Sequence, residues 1–337
     1  MDLSDLSKEL ELLLICRGGI LVLGDGDFSF SKALCELRET FGVSAQDNIV
    51  STGYDPRATL VAKYPKAEEH LSYLANAGVS VLFEIDATNL TFSDKFELII
   101  FNFPHTGGKT NLRNCRKLLS GIFQSCSKAL SAPSGRLWIS LGEGQSGVRD
   151  WGESPVTLSP ELHWKDSWQS LYLAAYADLA LESLLPFPGH LFPSYRPVGY
   201  KESSRQFSIG SGQMLIFAPL SQLSLSDFDS SFPGEDPHLT HPFRPYFLHD
   251  ISFWTDADAF SEPTFSALVR KLSHGCVKTV QLLPEFSQDN PTSKCYRFLW
   301  QPVSAVATHE TVRDLQILLR SRLESELNAR GIYCKLR

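Results

Sequence analysis

The sequence predicts an α/β fold: a Rossmann-like doubly wound sandwich over residues 1–220, a linker at 221–240, and a small α+β ferredoxin-like domain over 241–337. Three observations carry this. Short apolar runs alternate with helical stretches through the first part, the pattern of a parallel sheet covered on both faces. A Gly-x-Gly turn, Gly24-Asp25-Gly26, closes the first of those runs. The last part reads strand, helix, strand, strand, helix, strand, the split β-α-β order.

The expected strands of the first part are Gly19–Leu23, Asn48–Gly53, Ser80–Glu84, Glu97–Phe103, Arg136–Leu141 and Gln213–Ala218. A strand buried on both faces reads as a continuous apolar run, and Leu98-Ile99-Ile100-Phe101 does. Trp164–Leu185 reads as helical, with Leu171, Ala174, Ala175 and Leu179 on one face. The stretch Ser221–His241 is rich in Ser, Asp and Pro and lacks periodicity, the composition of a linker. Beyond it, Tyr246–Trp254 is strand-like, and Ser261 is placed to cap a helix burying Phe265, Leu268, Val269 and Leu272. Val277–Leu283 and Lys294–Trp300 are two further strands, the second with Tyr296, Phe298 and Trp300 on one side. Thr308 caps a longer helix with the stripe Val312, Leu315, Leu319, Leu323 and Leu327; Gly331 ends it before a last strand, Ile332–Leu336.

Composition sets outer limits. Apolar residues make up 43% and charged residues 20%, so a core is available and global disorder is not expected. The net charge of −7 excludes a polybasic chain that coats nucleic acid or anionic membrane by bulk charge. That charge is uneven. Residues 1–240 carry 19 basic and 28 acidic side chains, whereas 241–337 carry 12 and 10. No run reaches the roughly 18 apolar residues of a membrane helix, and the acids Asp2, Asp5, Glu9 and Glu11 near the N-terminus suit neither a secretory nor a transit signal. The seven cysteines form no C-x-x-C pair, so neither a disulfide framework nor a zinc site is expected. The expectation is an intracellular chain with reduced thiols, cytoplasmic or nucleolar, with no membrane partner.

The glycine turn continues as Gly24-Asp25-Gly26-Asp27-Phe28-Ser29. Glycines there let the backbone pass close to a ligand at a helix start, where a Rossmann fold binds a nucleotide; the alternative is a plain tight turn. Ser29 replaces the third glycine of a dinucleotide fingerprint, so NAD is not indicated. Asp55 follows the second strand, where a carboxylate accepts from ribose hydroxyls, and Asp86 follows the third, placed for an adenine amino group. Three such positions at successive strand ends point to an adenosyl ligand. S-adenosylmethionine (SAM) suits them better than NAD, because acids in the turn favour a cationic methionine head and oppose a pyrophosphate.

Past the fourth strand comes Asn102-Phe103-Pro104-His105-Thr106-Gly107-Gly108-Lys109-Thr110. Gly108-Lys109-Thr110 mimics the end of a P-loop, but Phe103 stands where that loop requires its first glycine. The turn reads better as the rim of a flipped base: Asn102 bonds a base edge, Phe103 or His105 stacks on it, and Pro104 stiffens the bend. No Asp or Glu lies between Glu97 and Glu143, a window holding Lys109, Arg113, Arg116 and Lys117. These basic residues directly follow the turn and are candidate RNA phosphate contacts, with a solvated helix face as the alternative.

On these residues the first part resembles the ribosomal RNA uridine-N3 methyltransferase family, of class I SAM-dependent fold. The carrying segments are Leu21–Phe30, Asp86-Ala87-Thr88 and Phe101–Gly108. Two departures are Asp25, where the family usually has Glu, and the segment from Leu141-Gly142-Glu143-Gly144 to Ser167-Trp168. Residues 241–337 resemble the ferredoxin-fold anticodon-binding domain of mitochondrial-type phenylalanyl-tRNA synthetases, through His249–Trp254 and Cys295-Tyr296-Arg297. Their union in one chain resembles animal proteins that carry both domains. The resemblance implies SAM-dependent methylation of uridine N3 in rRNA or tRNA. Gly24, Asp25, Gly26, Asp27, Asp55 and Asp86 then hold the cofactor, and Asn102, Phe103, Pro104 and His105 present the base. Asp27 and His105 are both candidates to take the N3 proton. Lys278 and Arg297 are further candidate RNA contacts in the last domain. A non-catalytic RNA-binding or synthetase-associated adaptor is the rival reading.

Overall fold

The computed structural model describes residues 8–43, 46–107, 111–131, 134–148, 166–198, 209–220, 246–256, 260–283, 292–301 and 308–336. The chain divides into two compact units, the second comprising mainly the residues from Leu223 onward. The expected linker lies outside the described residues.

The first unit is built on seven strands: β1 (Gly19–Leu23), β2 (Ile49–Thr52), β3 (Ser80–Leu82), β4 (Phe96–Asn102), β5 (Arg136–Leu141), β6 (Leu179–Pro186) and β7 (Gln213–Pro219). Their order in the sheet is β3-β2-β1-β4-β5-β7-β6. The first five pair in parallel, and β7 runs antiparallel to both neighbours. This is the parallel-dominated sheet of a Rossmann-like doubly wound sandwich, and its order reverses between β1 and β4, where such sheets open a crevice. The helices are α1 (Lys8–Ile15), α2 (Ser29–Thr40), α3 (Arg57–Lys63), α4 (Ala67–Asn76), α5 (Leu112–Ala129) and α6 (Ser170–Ala175). Both sheet faces are covered, so Leu98, Ile99 and Ile100 in β4 are almost wholly buried. Helix α2 buries Phe30, Ala33, Leu34 and Leu37, at the i, i+3, i+4, i+7 spacing of one helical face. Asn111 caps α5 by accepting from the Asn114 backbone N–H at 3.2 Å.

One expected helix is in part a strand. The stretch read as helical to Leu185 stops at Ala175, and Asp178 sits at φ 54°. Leu179–Pro186 then becomes the edge strand β6, paired antiparallel with β7 from Leu179↔Pro219 to Pro186↔Gln213. Leu-Ala-Leu-Glu-Ser-Leu-Leu has helix-favouring composition and no β-branched residue. Pairing against β7 and burial of Leu179, Ala180 and Leu181 outweigh that preference.

The second unit has the order β8 (Phe247–Thr255), α7 (Glu262–Leu272), β9 (Val277–Leu282), β10 (Thr292–Trp300), α8 (His309–Ala329) and β11 (Cys334–Leu336). Its antiparallel sheet runs β11-β8-β10-β9, the ferredoxin-like arrangement. Tyr296, Phe298 and Trp300 are buried together as expected, and the Trp300 indole donates to Gln316 Oε1 at 2.8 Å. Gln316 thus takes the buried place expected for Leu315, which is only half-buried. Thr308 caps α8 by accepting from Thr311 N, and Gly331 lies at φ 75° beyond its end. Ser261 precedes α7 without a side-chain cap; its hydroxyl accepts from Thr264 Oγ1 instead.

Candidate active site

The turn after β1 is shaped by packing. Gly24 lies at φ 61°, and a Cβ there would stand 2.6 Å from the Phe101 ring. A Cβ on Gly26 would stand 2.7 Å from Val198 Cγ2. Both glycines are therefore required by the protein's own side chains before any ligand is considered. Phe28 takes the left-handed conformation at φ 64° and supplies no side-chain cap to α2. The two acids of the turn do so. Asp25 accepts from Ser31 N and Ser31 Oγ, each at 2.7 Å, and from Phe30 N at 3.4 Å. Asp27 Oδ1 accepts from Ser29 N at 3.1 Å. Ser31 Oγ also lies 2.5 Å from Ser51 Oγ on β2, which ties the turn to the neighbouring strand. Burial, and then the Asp27 charge, push the Asp25 carboxyl up to about 6. From α4, the buried His70 holds the turn from below, its Nδ1 being 2.8 Å from the Asp27 carbonyl oxygen.

The other acids lie at the neighbouring strand ends. Asp55 is half-buried beyond β2 and pairs with Lys63 Nζ at 3.2 Å. Asp86 is exposed beyond β3, and its Oδ1 accepts from Thr88 N at 2.8 Å and Thr88 Oγ1 at 2.7 Å. At the end of β4, Asn102 Oδ1 accepts from Ser140 Oγ at 2.7 Å. Its Nδ2 is buried without a partner among the described residues. Phe103 sits at φ 51° with its ring edge-on to Phe187, the centroids 5.0 Å apart. Pro104 is buried and His105 exposed. The Gly107 N–H donates to His105 Nδ1 at 2.8 Å, so the neutral ring carries its proton on Nε2. Partial desolvation lowers the His105 pKa and favours that neutral form.

A cavity of about 660 Å³ joins these pieces. It is lined by Gly24, Asp25, Gly26, Asp27, Asp55, Asp86, Asn102, Phe103, Pro104 and His105, every residue singled out from the sequence for cofactor or base. Tyr54, Lys63, Thr88, Cys115, Gln145, Trp168, Tyr195 and Arg196 also line it and were not anticipated. Tyr54 and Thr88 adjoin acids already singled out, so position relative to the strand ends was the available signal. Gln145 and Trp168 belong to the segment that departs from the family pattern. Tyr195 and Arg196 come from the connection between β6 and β7, which carries no motif.

The basic residues behave differently from expectation in three places. Arg113 and Lys117 are exposed on α5 as expected. Arg116 instead donates Nε and Nη2 to the Ser167 carbonyl at 2.9 and 2.7 Å, fastening the segment that carries Trp168. Lys278 is 5% exposed within β9, too deep for a phosphate contact. Arg297 makes a two-point ion pair with Asp250, both bonds 2.8 Å, so its charge is compensated within the sheet. Lys109 lies outside the described residues. All seven cysteines are free thiols. Among the described residues no helix is long and apolar enough to cross a membrane.

The family model described as BMT5-like, rRNA (uridine-N3-)-methyltransferase, matches residues 21–199. Human ferredoxin-fold anticodon-binding domain-containing protein 1 is 32% identical over 272 residues, covering 79% of this chain and 38% of that protein. Its mouse homolog is 34% identical over 203 residues, covering 59% of this chain and 30% of that protein. The 25S rRNA (uridine(2634)-N(3))-methyltransferase of Saccharomyces cerevisiae is 29% identical over 136 residues, 32% of this chain and 39% of the yeast enzyme. The chain spans between 30% and 39% of the length of these relatives.

Proposed function

The chain belongs to the BMT5-like rRNA (uridine-N3-)-methyltransferase family, and from that premise we propose that its first unit methylates N3 of a uridine in RNA with SAM as donor. The observation that carries the reading is that the glycine turn, the acids beyond β2 and β3 and the Asn102–His105 turn meet in one cavity. The donor set suits SAM. The first backbone N–H groups of α2, where a dinucleotide pyrophosphate would sit, are already taken by Asp25 and Asp27. What the turn offers a ligand is carboxylate, which favours a cationic head. The volume lies within the range of sites for ligands of this size.

In this reading Asp55 accepts from the ribose hydroxyls, Asp86 and Thr88 border the adenine, and Asp25 faces the methionine ammonium. Bound SAM supplies an electrophilic methyl group. The chain's part is to hold the uridine in line with it, and such positioning accounts for much of the acceleration in a displacement of this kind. Asn102 offers its unpartnered amide N–H to a base carbonyl, since Ser140 already occupies the other end of the side chain. Of the two candidates for the N3 proton, neutral His105 is the weaker. Its Nδ1 lone pair is engaged by Gly107 and its Nε2 carries a proton, so the ring suits donation to a base oxygen. Asp27 Oδ2 receives no hydrogen bond among the described residues and remains the acceptor in this proposal.

The test is calorimetry with SAM, followed by nucleoside mass spectrometry after incubation with rRNA or tRNA. Wild type should bind SAM and produce N3-methyluridine, and Asp55→Ala should weaken SAM binding about tenfold, as expected for charge-assisted hydrogen bonds. Absence of SAM binding by wild type, or unchanged affinity in Asp55→Ala, overturns the cofactor assignment. SAM binding without methyl transfer to either RNA favours the adaptor reading.

A further inference from the structure

We propose that Arg196 is the receptor for the α-carboxylate of the methionine moiety, an assignment that rests on reading the cavity as a SAM site. The segment carrying it is fastened to the start of α2. Ser29 Oγ donates to the Arg196 carbonyl at 3.1 Å and accepts from the Arg196 N–H at 3.2 Å. Two residues on, Val198 abuts Gly26, and Phe30 packs its ring on Phe192 and Tyr195 at centroid distances of 4.9 and 5.3 Å. Arg196 therefore stands beside the glycine turn, at the end of the cavity where the methionine head belongs.

The guanidinium is held but not neutralised. Its Nη1 donates to the carbonyls of Pro193 and Tyr195 at 2.8 and 2.7 Å, which fixes the fork. Its Nε and Nη2 have no partner among the described residues. The cavity wall carries four carboxylates, Asp25, Asp27, Asp55 and Asp86, against two permanent cations, Lys63 and Arg196. Lys63 is already paired with Asp55, whereas Arg196 makes no ion pair among the described residues. An amino-acid head is zwitterionic and needs hydrogen-bond donors for its carboxylate as well as acceptors for its ammonium. The usual donors at such a turn, the first N–H groups of the helix, are taken by Asp25 and Asp27. Arg196 supplies the missing donors, in a planar fork suited to a carboxylate.

The experiment is calorimetry on the full chain with SAM and with decarboxylated SAM, for wild type, Arg196→Gln and Arg196→Lys. Wild type should prefer SAM. Arg196→Gln should lose roughly 10- to 100-fold in SAM affinity, the range for a charge-assisted hydrogen bond, and bind the decarboxylated ligand as wild type does. Arg196→Lys, which keeps the cation, should retain part of the preference. An equal loss for both ligands makes Arg196 a support of the loop only and overturns the assignment. So does unchanged SAM affinity, including the case in which only RNA binding weakens. If wild type binds neither ligand, the SAM reading itself has failed, a result distinct from normal wild-type binding that ignores residue 196.

Discussion

Replacing Gly24 with alanine separates two reasons for a glycine in this turn: approach to a ligand, and packing within the protein. At φ 61° an alanine pays about 1–2 kcal/mol for the left-handed conformation. Its Cβ would also stand 2.6 Å from Phe101 Cε2 and 2.8 Å from Cζ, and overpacking of that kind costs about 1–3 kcal/mol. The sum, about 2–5 kcal/mol, is a large part of a domain's usual ~5–15 kcal/mol. It should move the urea midpoint of the ligand-free protein by about 1–2.5 M for an m-value of about 2 kcal/mol/M. Phe101 lines the cavity, so relief by swinging the ring moves it into ligand space, and stability recovered that way is lost again in SAM affinity. Phe101→Leu in the Gly24→Ala background should return the steric part, leaving the conformational 1–2 kcal/mol; a double-mutant cycle by urea denaturation measures the coupling. If ligand-free Gly24→Ala unfolds within about 0.5 kcal/mol of wild type and only SAM binding suffers, the packing argument is wrong.

Two further outcomes follow from the same geometry. Asp25 holds its proton more tightly in the folded chain than in the unfolded one, about 6 against 3.8. Its contribution to stability is therefore complete below about pH 4, declines as pH rises, and is gone above about pH 6, an effect of about 3 kcal/mol. Asp25→Asn should flatten the unfolding free energy between pH 4 and 6.5, and an unaltered slope would count against the buried carboxyl. On α5, Arg113→Ala with Lys117→Ala should reduce the slope of log affinity for single-stranded RNA against log salt by roughly 1.4, about 0.7 per phosphate contact. SAM affinity should not change, and a salt dependence equal to wild type would remove α5 from the RNA path.

Much of the site was legible because its residues follow strands that announce themselves. Leu98–Phe101 is apolar without interruption, so β4 and the Asn102 turn beyond it are placed together. The same holds for Asp55 after β2 and Asp86 after β3, since a strand end in a parallel sheet is also an edge of the crevice. What the residues do there was less legible. Gly24 and Gly26 read as room for a ligand, and their neighbours prove to be Phe101 and Val198. Arg116 read as a phosphate contact on spacing alone, but its partner is a carbonyl 51 positions away.

The sequence by itself determined the two-part architecture, the parallel strands, and the set of acids and turn residues that border one cavity, because period, propensity and turn chemistry are local properties. Only the tertiary structure decided that Leu179–Pro186 is an edge strand, that Asp25 caps α2, and that Arg196 is tied to Ser29 across 167 positions. Each of these turns on which buried groups find hydrogen-bond partners when distant segments meet, and no local pattern records the partner.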